Sequence, residues 1–399
     1  MVMLKETNLD FKTNIIKEKV LTILIPFIIC FMSVTRNGNL NMLYFFSFGV
    51  FAILLLKKRI NIEKIVFYFV PFIIIFFLTL FFSKYFNDIV KSIIYIGKLF
   101  LCVNLFVVSK ELKCEKNFFY KIIDNLTIII FILTIIAIFT KNEYLWRFND
   151  TINSFSTTRL QLFFQEPSEL SEVCGFLLII NFFRFRKYKK NILTTIMTII
   201  PLILSAGLSG IVYSFLSIEI LILLTEFSFL SKGKISKLFL LNLVMIIFVF
   251  AIFMNGNSNI AKRIIAVLNG EDGSFNYRYI RANDALQYIL LDTNGIGVGL
   301  GNLRTDKVET LLENFDLKSF SNSYLFFIAE GGIVAIAYLL SLIGLGIKNI
   351  LFSNINYYEK CLRACLVFFI VIIQVTGGYF TDPFLWLITG ISFGVKIKI

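Results

Sequence analysis

Apolar stretches about 20 residues long recur from one end of this 399-residue sequence to the other, and that is the length a helix needs to cross the hydrocarbon core of a bilayer. No soluble core could hide them, because 57% of the residues are hydrophobic, 47 are phenylalanine and only 16% are charged. The chain is therefore expected to be an all-α polytopic membrane protein. About twelve segments qualify when shorter or split runs are allowed, centred near Pro26, Phe48, Ile75, Leu99, Ile130, Leu177, Ile200, Ser217, Ile247, Val334, Phe369 and Ile388. They divide the chain into nine helices over residues 1–254, with a smaller polar loop at about 141–172, then a large polar loop over 255–322, then three helices over 323–399.

The distribution of lysine and arginine orients this topology. With both termini cytoplasmic, the clusters at Lys57–Arg59, Lys110–Lys121, Arg184–Lys190, Lys232–Lys237 and Lys348–Arg363 fall in cytoplasmic connections and both polar loops fall outside. The net charge of +13 is then topological, and cations dispersed over many short loops give no footprint for nucleic acid. Residues 1–19 are polar, and no small-residue cleavage site follows the first apolar stretch, so that stretch is expected to stay as a helix.

The absence of histidine removes Ser-His-Asp triads, histidine zinc sites and imidazole proton shuttles. A general base must be a carboxylate, a tyrosine or a lysine. Cys30, Cys102 and Cys174 fall in membrane segments, Cys114 and Cys361 near the cytoplasmic face, and Cys365 four residues on, so neither a disulfide framework nor a zinc site is expected. Cys361 and Cys365 read as core packing. The glycines of Gly295-Ile-Gly-Val-Gly-Leu-Gly301 read as a hairpin that lacks the strand a phosphate-binding fingerprint needs. No cofactor or metal is expected.

Both polar loops carry chemistry. In the smaller loop Pro167 suits a first helical turn, and Glu169 and Glu172 suit the positive end of the sixth helix. Glu166 stands apart, seven residues after Arg159 at a membrane boundary, where ionisable pairs mark function. In the large loop, apolar residues at 282, 285, 286, 289 and 290 predict a helix over Tyr277–Leu291. Arg278, Arg281 and Asp284 then share a face, with Arg281 and Asp284 spaced to pair. Arg159, Arg278 and Arg281 suit a diphosphate, which guanidinium groups grip bidentately. Asp306 and Glu309 have the spacing of a capping box, ahead of a stripe of Val308, Leu311, Leu312 and Phe315. Asn322 or Ser323 is placed to cap the tenth helix. Glu330 enters the apolar layer and requires an arginine, a helix terminus or water as partner.

An arginine-bearing loop, a Gly-Val-Gly-Leu-Gly-Asn turn, then Asn-Ser-Tyr-Leu with Ala-Glu-Gly-Gly following in a helix resembles the O-antigen polymerase and ligase superfamily, the Wzy-type and WaaL-type enzymes. The likeness is best over Phe275–Leu340. Supporting it are Glu166-Pro-Ser168, Arg159 ahead of Gly175, and Ser205-Ala-Gly-Leu-Ser209-Gly in the seventh span. The resemblance implies a GT-C-like, metal-independent glycosyltransferase in a bacterial cytoplasmic (inner) membrane. Its reaction would join undecaprenyl-diphosphate-linked oligosaccharides into a surface polysaccharide, beside a repeat-unit flippase and a chain-length regulator. Glu166, Arg278 and Glu330 are the expected catalytic residues, with Arg159, Arg281, Asp284, Arg304, Asn322 and Tyr324 binding substrate. Glu166 leads as general base, with Glu330 or Asp284 behind it. Ligases carry histidine where this chain has Ser321, and Ser-Arg where it has Ser209-Gly210, so a polymerase is preferred. A lipid-linked oligosaccharide flippase and a peptidoglycan-type polymerase are the alternatives.

Overall fold

The computed structural model describes residues 20–31, 41–56, 62–111, 115–152, 155–188, 191–227, 280–317, 319–377 and 380–394. The predicted ninth segment around Ile247, along with Cys114 and Arg278, lies outside the described residues. Helices occupy the other predicted centres: α1 (Val20–Cys30), α2 (Met42–Leu56), α3 (Ile62–Phe82), α4 (Ile89–Glu111) and α5 (Lys116–Thr140), then α6 (Pro167–Tyr188), α7 (Ile192–Leu204) and α8 (Leu208–Phe227). Beyond them come two short helices, α9 (Ala282–Asp292) and α10 (Asp306–Glu313), and then α11 (Ser323–Leu351), α12 (Tyr357–Thr376) and α13 (Pro383–Phe393). Among the described residues, α3, α4, α5, α8 and α11 are long and apolar enough to cross a membrane, while α1, α2, α7 and α13 are apolar but shorter.

The fold is not purely helical. Between α5 and α6, β1 (Trp146–Ile152) pairs antiparallel with β2 (Phe155–Leu160), setting Trp146 opposite Leu160 and Arg147 opposite Arg159. The Trp146 indole donates to the Ala137 carbonyl at 2.8 Å, which fixes the hairpin to the end of α5.

α6 is the central helix. Its residues from Leu170 to Asn181 are all buried, the pattern of a helix covered on every side. It packs with α7, α8 and α12 in the largest core. A second core joins α3, α4, α11 and α13 through Phe72, Phe106, Phe327, Phe380 and Trp386, with Phe327 and Phe380 stacked at 4.0 Å. The outer faces stay apolar: Phe48, Phe81 and Phe139 are exposed, a surface suited to lipid rather than water. Cys361 and Cys365 are buried in the first core, as their spacing predicts.

Two arginines expected in cytoplasmic connections sit inside helices instead. Arg184 of α6 grips Asp124 bidentately, at 2.6 and 3.0 Å, with its guanidinium over the Tyr120 ring. Arg363 of α12 is fully buried. It pairs with Glu359 at 3.0 Å and donates to the carbonyls of Ile391 and Gly394 at the end of α13. A helix leaves its last carbonyls without partners, and a buried guanidinium in α12 satisfies those of α13.

The short helices α9 and α10 form a third core over the start of α11. The stripe of Ala282, Ala285, Leu286 and Ile289 is buried as the spacing predicts, but α9 begins at Ala282, with Arg281 as its flanking residue. Arg281 pairs with Asp316 at 3.4 Å rather than with Asp284, which faces solvent. The expected capping box is also corrected: Thr305 is the N-cap of α10 without a side-chain cap, so Asp306 and Glu309 are helical residues one and four. Val308, Leu311 and Leu312 are buried as expected.

The far end of α9 is held by Asp292, which accepts from Lys84 at 2.6 Å and from the Tyr85 hydroxyl. Those two hydrogen bonds, Lys84 first, hold the Asp292 carboxyl below the usual carboxylate range. Its contribution to docking α9 is therefore complete above the ordinary value of 3.8 and is lost as pH falls through the lowered one. Hydrogen exchange should show α9 amides gaining little exposure until that acid range is reached, and Asp292→Asn should reproduce the acid behaviour at pH 7. Unchanged exchange in Asp292→Asn would refute the clamp.

Candidate functional site

The site is organised by a break in α11. Asn322 caps the helix, its side-chain oxygen accepting from the N–H groups of Tyr324 and Leu325 at 3.0 and 3.2 Å. Ten residues on, Gly332 adopts φ +56° and ψ −137°, a conformation open essentially to glycine alone. An unbroken helix would use the carbonyls of Ala329 and Glu330 for its own next turn. Here they accept from the N–H groups of Val298 and Gly299, both at 2.9 Å, while Ile333 donates to the Gly295 carbonyl at 2.9 Å. The glycine run is thus no hairpin but an irregular loop that completes the hydrogen bonding of a broken helix. A side chain at Gly297 would place Cβ 2.7 Å from the Glu330 carbonyl.

Glu330 belongs to this seam. It is fully buried, and its Oε1 accepts from the Gly301 N–H at 2.8 Å. The buried Tyr95 hydroxyl of α4 faces the same carboxyl. Arg304, in the 3-10 turn Asn302–Arg304, lies within electrostatic reach of the carboxylate. The required partner is therefore chiefly a backbone N–H of the glycine loop. Asn302, which the sequence marked only as the end of a motif, crosses to α4. Its Oδ1 accepts from Asn87 and Asp88 N–H, both at 3.0 Å, and its Nδ2 donates to Ser92 at 2.8 Å. Asn322 is spent on its cap, and the Tyr324 hydroxyl donates to the Val371 carbonyl at 2.9 Å, so both are structural in this arrangement.

Arg159 and the acidic residues of the smaller loop gather at the start of α6. Arg159 is buried and its Nε donates to the Ser205 carbonyl at 3.1 Å. Ser205-Ala-Gly is not inside the seventh helix but forms the tight turn from α7 to α8, with Ala206 at φ +48°, and Leu208-Ser-Gly opens α8. Pro167 opens α6 as predicted, and the Glu169 carboxylate accepts from Gln165 N–H at 2.8 Å, confirming it as a capping residue. Glu166 is exposed and accepts from Ser168 at 3.0 Å. Glu172, expected to serve as a second cap, is instead buried deeper, beside Gly377.

Gly377 draws the two halves together, because its carbonyl also accepts from Ser323 at the start of α11, at 2.7 Å. Gly377 thus lies between the Ser323 hydroxyl at the start of α11 and the Glu172 side chain, five residues into α6. Residues 380–382 then lead to α13, whose N-cap Asp382 accepts from Phe384 N–H at 2.9 Å. Asp382 lies within electrostatic reach of Glu169 on one side and of Tyr44 and Cys102 on the other. Cys102 in turn reaches Lys98, and Lys98 reaches Arg304. These groups form a row in two parts, Glu166, Glu169 and Asp382 on one side and Lys98, Arg304 and Glu330 on the other, with the Cys102 thiol between them. Sequence reasoning missed Asp382 and Lys98, although a lysine inside an apolar segment is itself a signal of function. Arg281 and Asp284 stand apart from this row. No family model matches the chain, and no curated protein matches it significantly.

Proposed function

We propose that this protein is a polymerase of lipid-linked glycans, acting on the outward face of a bacterial cytoplasmic membrane. The observation that carries the reading is the meeting at Gly377 of Ser323, which opens α11, and Glu172 of α6, with buried Arg159 at the foot of α6 and Arg304 beside Glu330 of α11. Helix amino termini and guanidinium groups favour an anionic group such as a diphosphate. Solvent-facing Glu166, the leading candidate for the base, would take the proton from an attacking sugar hydroxyl, while Arg159 stabilises the departing diphosphate at the anomeric carbon. Glu330 is fully enclosed, so in this scheme it holds the glycine loop rather than touching the acceptor. Arg278 would assist from the large loop, whereas Arg281, paired with Asp316, takes no part.

The test is a purified, lipid-reconstituted protein given an undecaprenyl-diphosphate-linked repeat unit without nucleotide or metal. A ladder of glycan lengths is expected. Arg159→Gln should slow it by about a hundred- to a thousand-fold through loss of a leaving-group contact. Glu166→Gln should slow it by about a hundred- to ten-thousand-fold through loss of the base. Movement of the lipid-linked glycan between leaflets without elongation would overturn the reading in favour of a flippase.

A further inference from the structure

A groove of about 520 Å³, counting its open mouth, runs between α11, α12 and α13, and the transfer scheme above makes no use of it. Its walls include Leu339 and Ile343 of α11, Val367 and Val371 of α12, and Trp386 and Phe393 of α13. Trp386 and Phe393 are seven residues apart, so the groove follows α13 for about 10 Å. Its mouth opens on lipid-facing surface: Leu340 and Ile347, about one turn to either side of half-buried Ile343 on α11, are both exposed.

The walls leave little for water to bond. The Tyr324 hydroxyl donates to the Val371 carbonyl at 2.9 Å, Gln374 Nε2 to Ile370 at 3.3 Å, the Trp386 indole to Phe380 at 2.7 Å and the Thr389 hydroxyl to Leu385 at 2.6 Å. Every polar side chain of the lining thus already donates within the bundle, whereas a buried water needs several polar partners. A hydrocarbon chain gains packing contacts along the same walls and strands no polar group. At its outer end the groove meets the candidate site: Tyr324 follows Ser323, whose hydroxyl bonds the Gly377 carbonyl, and Gln374 lies three residues before Gly377. A chain lying in the groove therefore presents its own head at Gly377.

We infer that this groove holds the isoprenoid chain of the lipid-linked substrate, with the diphosphate head outward at Gly377. The identity of the lipid rests on the proposed function; the seating of a hydrocarbon chain does not. Continuity of groove and site selects the substrate over a bilayer phospholipid, because only the substrate must bring its head to Gly377. Tyr324, expected from its motif to bind substrate and committed through its hydroxyl to Val371, then meets the chain with its ring.

Fluorescence quenching tests it. The sequence has two tryptophans, so Trp146→Phe leaves Trp386, which is buried and lines the groove, as the sole indole. Reconstitution in phosphatidylglycerol brominated in its acyl chains should quench Trp386, and unbrominated undecaprenyl phosphate should then relieve the quenching saturably as the isoprenoid displaces a brominated chain. Val371→Phe and Ile343→Phe narrow the groove and should each raise the amount needed for relief on the order of ten-fold. Leu340→Phe, on the lipid-facing side of α11, should change nothing. Quenching that undecaprenyl phosphate does not relieve, or that an equal amount of unbrominated phosphatidylglycerol relieves as well, overturns the inference and gives the groove to phospholipid chains. Trp386 left unquenched before any addition, in a preparation whose lipid extract holds no undecaprenyl lipid, would show that no chain enters. If relief follows the expected pattern but no glycan ladder forms, the polymerase reading falls and the groove stands. A ladder whose dependence on substrate is unchanged in Val371→Phe and Ile343→Phe sinks the groove alone.

Discussion

Gly332→Ala should release the glycine loop from α11 and cost on the order of 4 kcal/mol or more. Two independent effects act at the same atom. The backbone conformation, φ +56° and ψ −137°, is strained for any residue with a side chain, and the added Cβ would lie 1.9 Å from the Gly295 carbonyl oxygen. That oxygen is the acceptor for Ile333 N–H, so it cannot withdraw without breaking the seam. The neighbouring acceptors then lose their donors as well: Ala329 and Glu330 carbonyls depend on Val298 and Gly299, and Glu330 Oε1 depends on Gly301. Gly344→Ala, on the same helix, meets nothing within 4 Å and should be near neutral. Thermal unfolding in detergent compares the two, and hydrogen exchange at residues 297–301 reads the loop directly. A Gly332→Ala protein as stable as Gly344→Ala, with a protected loop, would refute the account of the break.

Elements specified by local sequence are legible in the amino-acid order itself. Pro167 marks the start of α6, Asn322 caps α11, and the Ala282, Ala285, Leu286, Ile289 stripe gives α9, because each signal is complete within a few residues. Features created by distant partners are not. Asn302 ties down the residues just before α4 across more than 200 residues, and nothing near Asn302 foretells Asn87 or Asp88. The same limit explains the capping box. Asp306 and Glu309 have the right spacing, but Thr305, bonded to Asn302, sets the start of α10 one residue earlier. The hairpin β1–β2 is obscured by a membrane composition that favours helices throughout, although Phe155-Ser-Thr-Thr carries strand-favouring residues.

The candidate site divides along the same line. Ionisable residues in apolar surroundings, Arg159 and Glu330, stand out in the sequence because burial of charge is improbable without a reason. What they do does not, since Glu330 takes its partner from a loop 29 residues away and Arg159 bonds a turn 46 residues on. Asn322 and Tyr324 stand out by their motif and prove to be bonded within the bundle. Arg304, expected to contact substrate, is joined by Lys98, which only the packing of the 3-10 turn on α4 brings into view.

Arg363→Met should destabilise the bundle by about 3–5 kcal/mol, the cost of removing one member of a buried ion pair. Glu359 is nearly buried and would be left charged without the guanidinium that faces it. The carbonyls of Ile391 and Gly394 would lose their donor too, freeing the end of α13. Substituting Glu359 as well removes the stranded charge, so Arg363→Met with Glu359→Gln should recover at least half of the loss, leaving the orphaned carbonyls as the remainder. A double variant no more stable than Arg363→Met would show that the ion pair contributes little and that the helix end is what matters. The consequence extends to the opposite end of α13. That helix lies against α4, with Gly390 on Phe106 and Ser109, and its N-cap Asp382 links Glu169 to the Cys102 and Lys98 stripe. Loosening its carboxyl end lets the whole short helix shift, so the row of ionisable groups should lose its alignment before the protein unfolds. The proposed glycan elongation should therefore fall in Arg363→Met at temperatures where its helicity is still intact. If elongation and helicity are lost together, α13 does not position the site.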